Sequence, residues 1–331
     1  MAFVVDSQEW NFNGWTAADI QGAIEDILEK LDGAFQQQHD VWVGEDLQTQ
    51  HVYGTEDLWS LRAKTSNIQI DEEVWQELAA ALGRTKRYLD EDHWPQGFDD
   101  YLISTDGNPP CLNPDIAWAH HNVRACRAVG CIGIKREGIF STVSKYGLAN
   151  VHWLSDRQSL ALFWREAIIV EGNTQAALER LAPYAYPGLY FVTDVWRGLQ
   201  KLNGGYYPHR DELQRYLSVL SDSGGWAFTA PPPAEVTSEA QGTGTSLPTS
   251  QLIIRRFIRL QLDVTPENPD VYRNSFCRQA REIKLFGNTL YFEWHGKLQA
   301  HQNRIHIHAP VHGSNGKVLV GIIDSHLPLP P

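Results

Sequence analysis

Imidazole, carboxylate and basic side chains alternate with apolar ones in two neighbouring segments near the end of the chain. In Tyr291-Phe-Glu-Trp-His-Gly-Lys297 and Arg304-Ile-His-Ile-His308, every second residue can carry charge or move a proton. A period of two is typical of β-strands, whose successive side chains point to opposite faces of a sheet. The pattern therefore predicts a polar sheet face made of Tyr291, Glu293, His295, Lys297, Arg304, His306 and His308. The opposite, apolar face is predicted to hold Leu290, Phe292, Trp294, Leu298, Ile305 and Ile307.

The two segments are close enough in sequence to form a hairpin that turns between Gln299 and Gln302. Such a hairpin places three pairs of polar residues directly across from each other: His295 and His306, Lys297 and Arg304, Glu293 and His308. Like charges across a sheet are normally destabilising, so a Lys–Arg pair indicates a face that binds an anion. Imidazoles that titrate near neutral pH could exchange protons with that anion.

Two reaction mechanisms fit this face, and a solvated or subunit-facing surface without reactivity is the third interpretation. Without metal, Arg304 and Lys297 would bind a phosphodiester while a histidine and Glu293 act as base and acid for attack by a ribose 2′-hydroxyl. With metal, the His-x-His spacing of β-type residues 306–308 plus His295 resembles a zinc site that activates water. Our working hypothesis is metal-free, needs no cofactor, and makes the chain a candidate endoribonuclease. Its candidate catalytic residues are Arg304, His306, His308, His295 and Glu293.

The elements predicted to position this face are two helices followed by three strands. Ile253, Ile254, Phe257 and Ile258 form a helical stripe, and a second helix is predicted from Asp270 to Leu285 with Phe276, Ala280 and Ile283 on its buried side. The strands are predicted at Thr289–Leu298, Arg304–Val311 and Lys317–Ser325. Basic side chains on the exposed sides of these elements form a predicted nucleic-acid-binding wall: Arg255, Arg259, Arg273, Arg278, Arg281, Lys284 and Lys297.

A change in composition separates this region from the rest of the chain. Residues 229–250 are rich in Pro, Gly, Ser and Thr and contain few large apolar side chains, which predicts a linker. The expected domains are therefore a partner-binding or regulatory region at 1–228, the linker at 229–250 and a basic module at 251–331. The first region could divide again near residues 110–155.

The first region reads as α+β, with several helices and a small antiparallel sheet. A capping box at Thr16 and Asp19 predicts a helix over 16–32, Asp71 caps a second helix, and Asn113 with Pro114 begins a third over 114–127. Further helices are predicted from Asp156, Asn173, Asp194 and Pro208. Short β-type segments are predicted at Val41–Val43 and, as the small antiparallel sheet, at Ala128–Ile134, Gly138–Val143 and Val151–Leu154.

Charge is distributed unevenly along a chain whose net charge is −12. Residues 1–110 hold 22 acidic and 6 basic side chains, whereas residues 251–331 hold 6 acidic and 10 basic ones. This asymmetry predicts that the end of the chain binds a polyanion, RNA rather than DNA, and that the acidic region binds a protein partner. The sequence has no long apolar run and no signal peptide, so we expect a cytoplasmic protein without a membrane partner.

Residues 251–326 resemble the RelE/ParE-type toxin module. The resemblance lies in two basic helices followed by Asn288-Thr-Leu-Tyr-Phe-Glu-Trp-His-Gly-Lys297, Asn303-Arg-Ile-His-Ile-His-Ala309 and Lys317-Val-Leu-Val-Gly-Ile-Ile-Asp-Ser-His326. It implies a small α-α-β-β-β fold, and Arg304 occupies the strand position of a catalytic arginine in that family. It also implies an RNA endonuclease or an inert relative, in a bacterial toxin–antitoxin or antiviral defence system. The alternative is a non-catalytic nucleic-acid-binding or scaffolding subunit of a defence complex.

Overall fold

The computed structural model describes residues 2–63, 68–90, 93–230 and 247–331. The chain contains both helices and strands and divides into two compact units, Met1–Gly172 and Asn173–Pro331. We call them unit 1 and unit 2. The division falls near residue 172, whereas the sequence placed the boundary in the segment 229–250, of which residues 231–246 lie outside the described residues.

Unit 1 contains ten strands and five α-helices within its described residues. The strands are β1 (Ala2–Val5), β2 (Asp40–Val43), β3 (His51–Tyr53), β4 (Glu56–Asp57), β5 (Lys86–Arg87), β6 (Leu102–Thr105), β7 (Cys111–Leu112), β8 (Val129–Ile132), β9 (Gly138–Ser144) and β10 (Gly147–Leu154). The helices are α1 (Ala17–Gln36), α2 (Leu58–Leu61), α3 (Glu72–Leu82), α4 (Pro114–Arg124) and α5 (Arg157–Val170). The predicted helix starts at Thr16, Asp71, Asn113 and Asp156 are confirmed.

Eight of these strands form one mixed sheet, in the order β5-β2-β1-β8-β10-β9-β6-β7. Strands β5, β2, β1, β8 and β10 run parallel, and β9, β6 and β7 continue the sheet in antiparallel fashion. The prediction of a small antiparallel sheet is therefore wrong except for the β9–β10 hairpin. All four residues of β8 are buried, as expected for a central strand with parallel neighbours on both sides.

Unit 2 contains five α-helices and seven strands within its described residues. The helices are α6 (Gln175–Ala185), α7 (Arg210–Ala227), α8 (Ser250–Arg259), α9 (Pro269–Arg273) and α10 (Ser275–Gln279). The strands are β11 (Leu189–Phe191), β12 (Val264–Pro266), β13 (Glu282–Leu285), β14 (Asn288–Tyr291), β15 (Trp294–Gln299), β16 (Gln302–His308) and β17 (Val318–Asp324). No helix in the described parts of the chain is long and apolar enough to cross a membrane.

A five-stranded sheet in the order β11-β17-β16-β15-β12 forms the centre of unit 2. Strand β11 precedes the predicted linker yet pairs in parallel with β17, so the sheet is not built from residues 251–331 alone. On one face Trp294 packs against Phe228, which follows α7, and against Phe257, which lies in α8. The fit is close, because a Cβ atom at Gly296 would lie 2.4 Å from the ring of Tyr216 in α7. This is the predicted apolar face for the residues of β15 and β16, but Leu290 and Phe292, which were predicted to share it, pack on the other face of the sheet with Leu319.

The other face of the sheet is covered by the segment from Glu267 to Phe292. The predicted second helix, Asp270–Leu285, is wrong: the segment forms α9, α10 and then the β13–β14 hairpin. Asn268 and Asn274 each cap a new helix, and Phe286 and Gly287 have the positive φ angles of a tight hairpin turn. Phe292 is fully buried against Leu319 on this face, together with half-buried residues of the β13–β14 hairpin.

Candidate functional site

The β15–β16 hairpin brings together the imidazoles predicted to share a face. His295 lies opposite His306 and Lys297 lies opposite Arg304, which confirms the predicted register. The two imidazole rings have centroids 5.5 Å apart. Glu293 precedes β15, so its predicted pairing with His308 is not part of the ladder.

The predicted polar face is buried rather than open. His295 is 5% exposed and His306 is fully buried, because the covering segment 267–292 lies over them. The Nδ1 atom of His306 donates a hydrogen bond to the carbonyl oxygen of Phe292 in that segment, at 3.3 Å. Substrate in solution therefore has no direct route to either imidazole in this conformation.

An ion pair between Arg281 and Glu267 lies beside the two histidines. The Arg281 Nε atom is 2.7 Å from Glu267 Oε1, and its Nη1 atom donates to the carbonyl oxygens of Cys277 and Pro328. Arg281 is 1% exposed, so the prediction that it contributes to an exposed nucleic-acid-binding wall is wrong. Sequence reasoning missed Glu267. It lies 14 residues before Arg281, and an ion pair at that separation produces no periodic pattern in the sequence.

Arg304 and Lys297 contact different partners. Arg304 Nη1 donates to His295 Nε2 at 2.5 Å, whereas Lys297 Nζ forms an ion pair with Asp263 at 3.1 Å. The opposed positive charges of Lys297 and Arg304 suggested an anion site, but Asp263 neutralises Lys297. Sequence reasoning did not include Asp263. His308 is half-buried, and its Nδ1 atom donates to the carbonyl oxygen of Ala309 at 2.7 Å.

Burial keeps the imidazoles of His295 and His306 neutral near pH 7. It lowers the pKa of His295 to about 4, with Glu267 opposing the shift and Arg304 and Lys297 adding to it. Burial also lowers the pKa of His306 well below its ordinary value. A histidine must be protonated to act as a general acid, so neither can fill that role in metal-free cleavage near neutral pH.

We expect the ring signals of His295 to stay constant from pH 6 to pH 8. The physical reason is the desolvation that lowers the pKa of its imidazole to about 4. The measurement is a pH series of proton–carbon correlation spectra of the imidazole side chains, with the signal assigned by its loss in His295→Ala. A ring signal of His295 that shifts with a midpoint between pH 6 and pH 8 contradicts the expectation.

The remaining predicted nucleic-acid-binding residues lie on several elements of unit 2. Arg255, Arg259 and Lys284 are exposed, and Arg273 pairs with Asp270 at 2.8 Å. Arg278 pairs with Glu282 at 3.1 Å. Beside them the structure exposes two aromatic side chains: Tyr272, which sequence reasoning did not include, is 52% exposed, and Phe276 is 68% exposed. The prediction that Phe276 lies on the buried side of a second helix is therefore wrong.

Unit 1 has its own cluster of buried acidic side chains, at the carboxyl ends of β1 and β8. The Asp6 carboxylate accepts from Asn113 at 3.2 Å, Arg136 at 3.0 Å and Trp153 at 3.3 Å. Glu9 accepts from backbone amides of residues 134–136. These bonds tie together the loops that follow the two strands, so the arrangement supports the fold at this edge of the sheet.

A potential metal-binding group is formed in unit 2 by Glu267, His295 and His306. One donor atom from each residue lies within 4.8 Å of the others, and no other group of this kind occurs within the described residues. His308 does not belong to it, so the predicted His-x-His pattern is not the one that the fold assembles. The chain matches no protein-family model, no curated protein and no solved structure.

Proposed function

We propose that unit 2 binds single-stranded RNA through the surface of α9 and α10, which we call the α9–α10 surface. Its residues are Tyr272, Arg273, Phe276 and Arg278. The observation that carries the proposal is the pair of exposed aromatic rings with guanidinium groups beside them. Single strands are commonly bound by such surfaces, because bases stack on aromatic rings while cations contact the phosphates.

The Tyr272 ring is supported from within the protein. Tyr291 packs against it edge-on with ring centroids 5.0 Å apart, and the Arg278 guanidinium lies 5.4 Å from its centroid. A ring held in this way loses little side-chain freedom when a base stacks on it. Arg273 is 76% exposed and paired only at the surface with Asp270, so a phosphate can replace that carboxylate.

Binding is better supported than cleavage. The candidate catalytic histidines His295 and His306 are buried and neutral, and Arg304 is occupied by His295. The alternative of a non-catalytic nucleic-acid-binding subunit is therefore the one we adopt. A role in toxin–antitoxin or antiviral defence follows from the RelE/ParE resemblance alone and stays a prediction. A protein partner for the acidic first region also stays a prediction.

Loss of either exposed ring is expected to weaken RNA binding by about fivefold or more. Stacking of one base on an aromatic ring contributes roughly 1–3 kcal/mol. The measurement is fluorescence anisotropy of a labelled single-stranded oligoribonucleotide titrated with full-length protein, comparing wild type with Tyr272→Ala and Phe276→Ser. The matched control is Tyr207→Ala, since Tyr207 is 65% exposed with the Arg210 guanidinium 4.4 Å from its ring, but lies outside α9 and α10.

Salt dependence provides a second readout of the same binding. Removing one cation that binds a phosphate should reduce the slope of log affinity against log salt by roughly 0.7 for a single strand, so Arg273→Gln should flatten the line. Equal affinity of all variants, or a weaker affinity in Tyr207→Ala than in Phe276→Ser, would contradict the proposal. Tighter binding of DNA of the same sequence would contradict the preference for RNA.

A further inference from the structure

The Glu267, His295 and His306 side chains converge from three separate segments of unit 2. Glu267 directly follows β12, His295 lies in β15 and His306 lies in β16. Their donor atoms lie within 4.8 Å of one another, and His295 Nδ1 is 3.7 Å from Glu267 Oε1. These distances are somewhat longer than those between ligands of a bound ion, so small rotations of the side chains would complete the geometry.

His306 has the orientation of a metal ligand. Its Nδ1 atom carries the proton that it donates to the carbonyl oxygen of Phe292, which leaves the Nε2 lone pair unprotonated. That Nε2 atom is buried and has no hydrogen-bond partner among the described residues. Metal-bound histidines usually donate their other ring N–H to a carbonyl or carboxylate in this way.

His295 can present its second nitrogen to the same point. Its Nδ1 atom is also buried without a hydrogen-bond partner in the described part of the chain. Its Nε2 atom faces Thr265 Oγ1 at 3.4 Å and Arg304 Nη1 at 2.5 Å. When Nδ1 binds a cation, Nε2 must carry the proton and donate to Thr265, so the guanidinium of Arg304 has to move away. Arg304 is partly exposed, which allows that movement.

Glu267 provides the negative charge of the group. Arg281 donates to its Oε1 atom at 2.7 Å, and a carboxylate that binds a metal is commonly oriented by such a hydrogen bond. Two guanidinium groups near the site oppose a dication, however. Arg281 is fixed by two backbone carbonyl oxygens, so Arg304 is the one whose removal should favour the ion.

We propose that Glu267, His295 and His306 bind one divalent cation of the zinc class, in competition with the Arg304–His295 hydrogen bond. Two imidazoles and one carboxylate suit zinc and cobalt ions better than magnesium or calcium, which prefer oxygen ligands. Three protein ligands also leave a coordination position for water. This proposal does not depend on RNA binding, since none of its ligands belongs to the α9–α10 surface.

The test is a titration of metal-stripped full-length protein with Co²⁺, followed by its visible absorption and by displacement with Zn²⁺. We expect one tightly bound Co²⁺ with intense bands in wild type, a loss of at least tenfold in affinity in Glu267→Gln and His306→Ala, and tighter binding in Arg304→Gln. The matched control is His308→Ala, which removes the next histidine of the same strand and should leave the spectrum unchanged. Because the buried His306→Ala variant could unfold, Glu267→Gln is the deciding variant: its amide oxygen can still accept from Arg281.

A rise in melting temperature with Zn²⁺ in wild type, absent in Glu267→Gln, is the second expected result. Three outcomes would overturn the proposal. They are no Co²⁺ bound by folded wild type, unchanged binding in folded Glu267→Gln, and an equal decrease of affinity in His308→Ala. Either of the last two would place the ion at a different group of ligands.

Discussion

Replacing Arg281 with methionine is expected to lower the free energy of unfolding by about 3–5 kcal/mol, the range for breaking a buried ion pair by removing one partner. The side chains of Arg281 and Glu267 are 2% and 8% exposed, so the carboxylate would be left buried and uncompensated. The carbonyl oxygens of Cys277 and Pro328 would lose their donor as well. Urea denaturation of the full-length variant, followed by tryptophan fluorescence, measures the change.

The control for this variant is Arg273→Met. Arg273 also pairs with an acidic residue, Asp270, but its side chain is 76% exposed, so we expect a change within about 1 kcal/mol. Adding Glu267→Gln to Arg281→Met should restore part of the stability, because the uncompensated charge is then absent. Equal effects of the Arg281 and Arg273 variants would show that the buried pair does not stabilise unit 2.

Asp6 is expected to make unit 1 less stable as pH rises from about 4 to about 7. Burial, with the nearby carboxylates of Glu9 and Asp115, raises the pKa of its carboxyl from 3.8 to about 7, against the opposing effects of Asn113 and Arg136. Between these two values the folded state holds a proton that the unfolded state has released. Stability therefore falls with a slope of up to roughly 1.4 kcal/mol per pH unit, about 4 kcal/mol in total.

The measurement is the urea midpoint of wild type and Asp6→Asn at a series of pH values from 4 to 8. Buried histidines act in the opposite sense: burial lowers the pKa of His120, His152 and His295 to about 4, and it also lowers the pKa of His121, His306 and His308. They bind protons more readily in the unfolded state below pH 6.5, so only the difference between the two proteins isolates Asp6. The urea midpoint of Asp6→Asn should therefore increase relative to that of wild type as pH rises. Parallel curves would show that Asp6 keeps its ordinary pKa.

Local sequence patterns predicted the hairpin of the candidate site but not its burial. The alternation of apolar and polar residues and the short turn were sufficient for the pairing of His295 with His306 and Lys297 with Arg304. Alternation does not distinguish a polar face in solvent from one covered by another segment. The covering segment was misassigned because Arg278, Arg281 and Lys284 have the spacing of a basic helical face, although Lys284 lies in strand β13 and Arg281 is buried just before it.

Long-range pairing accounts for the other differences. Helix starts at Thr16 and Asn113 were predictable because capping depends on neighbours in sequence. The parallel pairing of β1 with β8 joins residues far apart in the chain, and so does the pairing of β11 with β17. Neither pairing leaves a signal in the local sequence. Glu267 entered the candidate site in the same way, through a contact with Arg281 that only the folded chain shows.

The most direct test of RNA binding by the α9–α10 surface is photochemical cross-linking. Full-length protein is irradiated with single-stranded RNA that contains 4-thiouridine, and the adducts are mapped by mass spectrometry after trypsin. We predict adducts on two tryptic peptides, Leu260–Arg273 with Tyr272 and Asn274–Arg278 with Phe276. Adducts confined to residues 1–172, or no adduct on these two peptides when RNA is bound, would contradict the proposed RNA-binding surface.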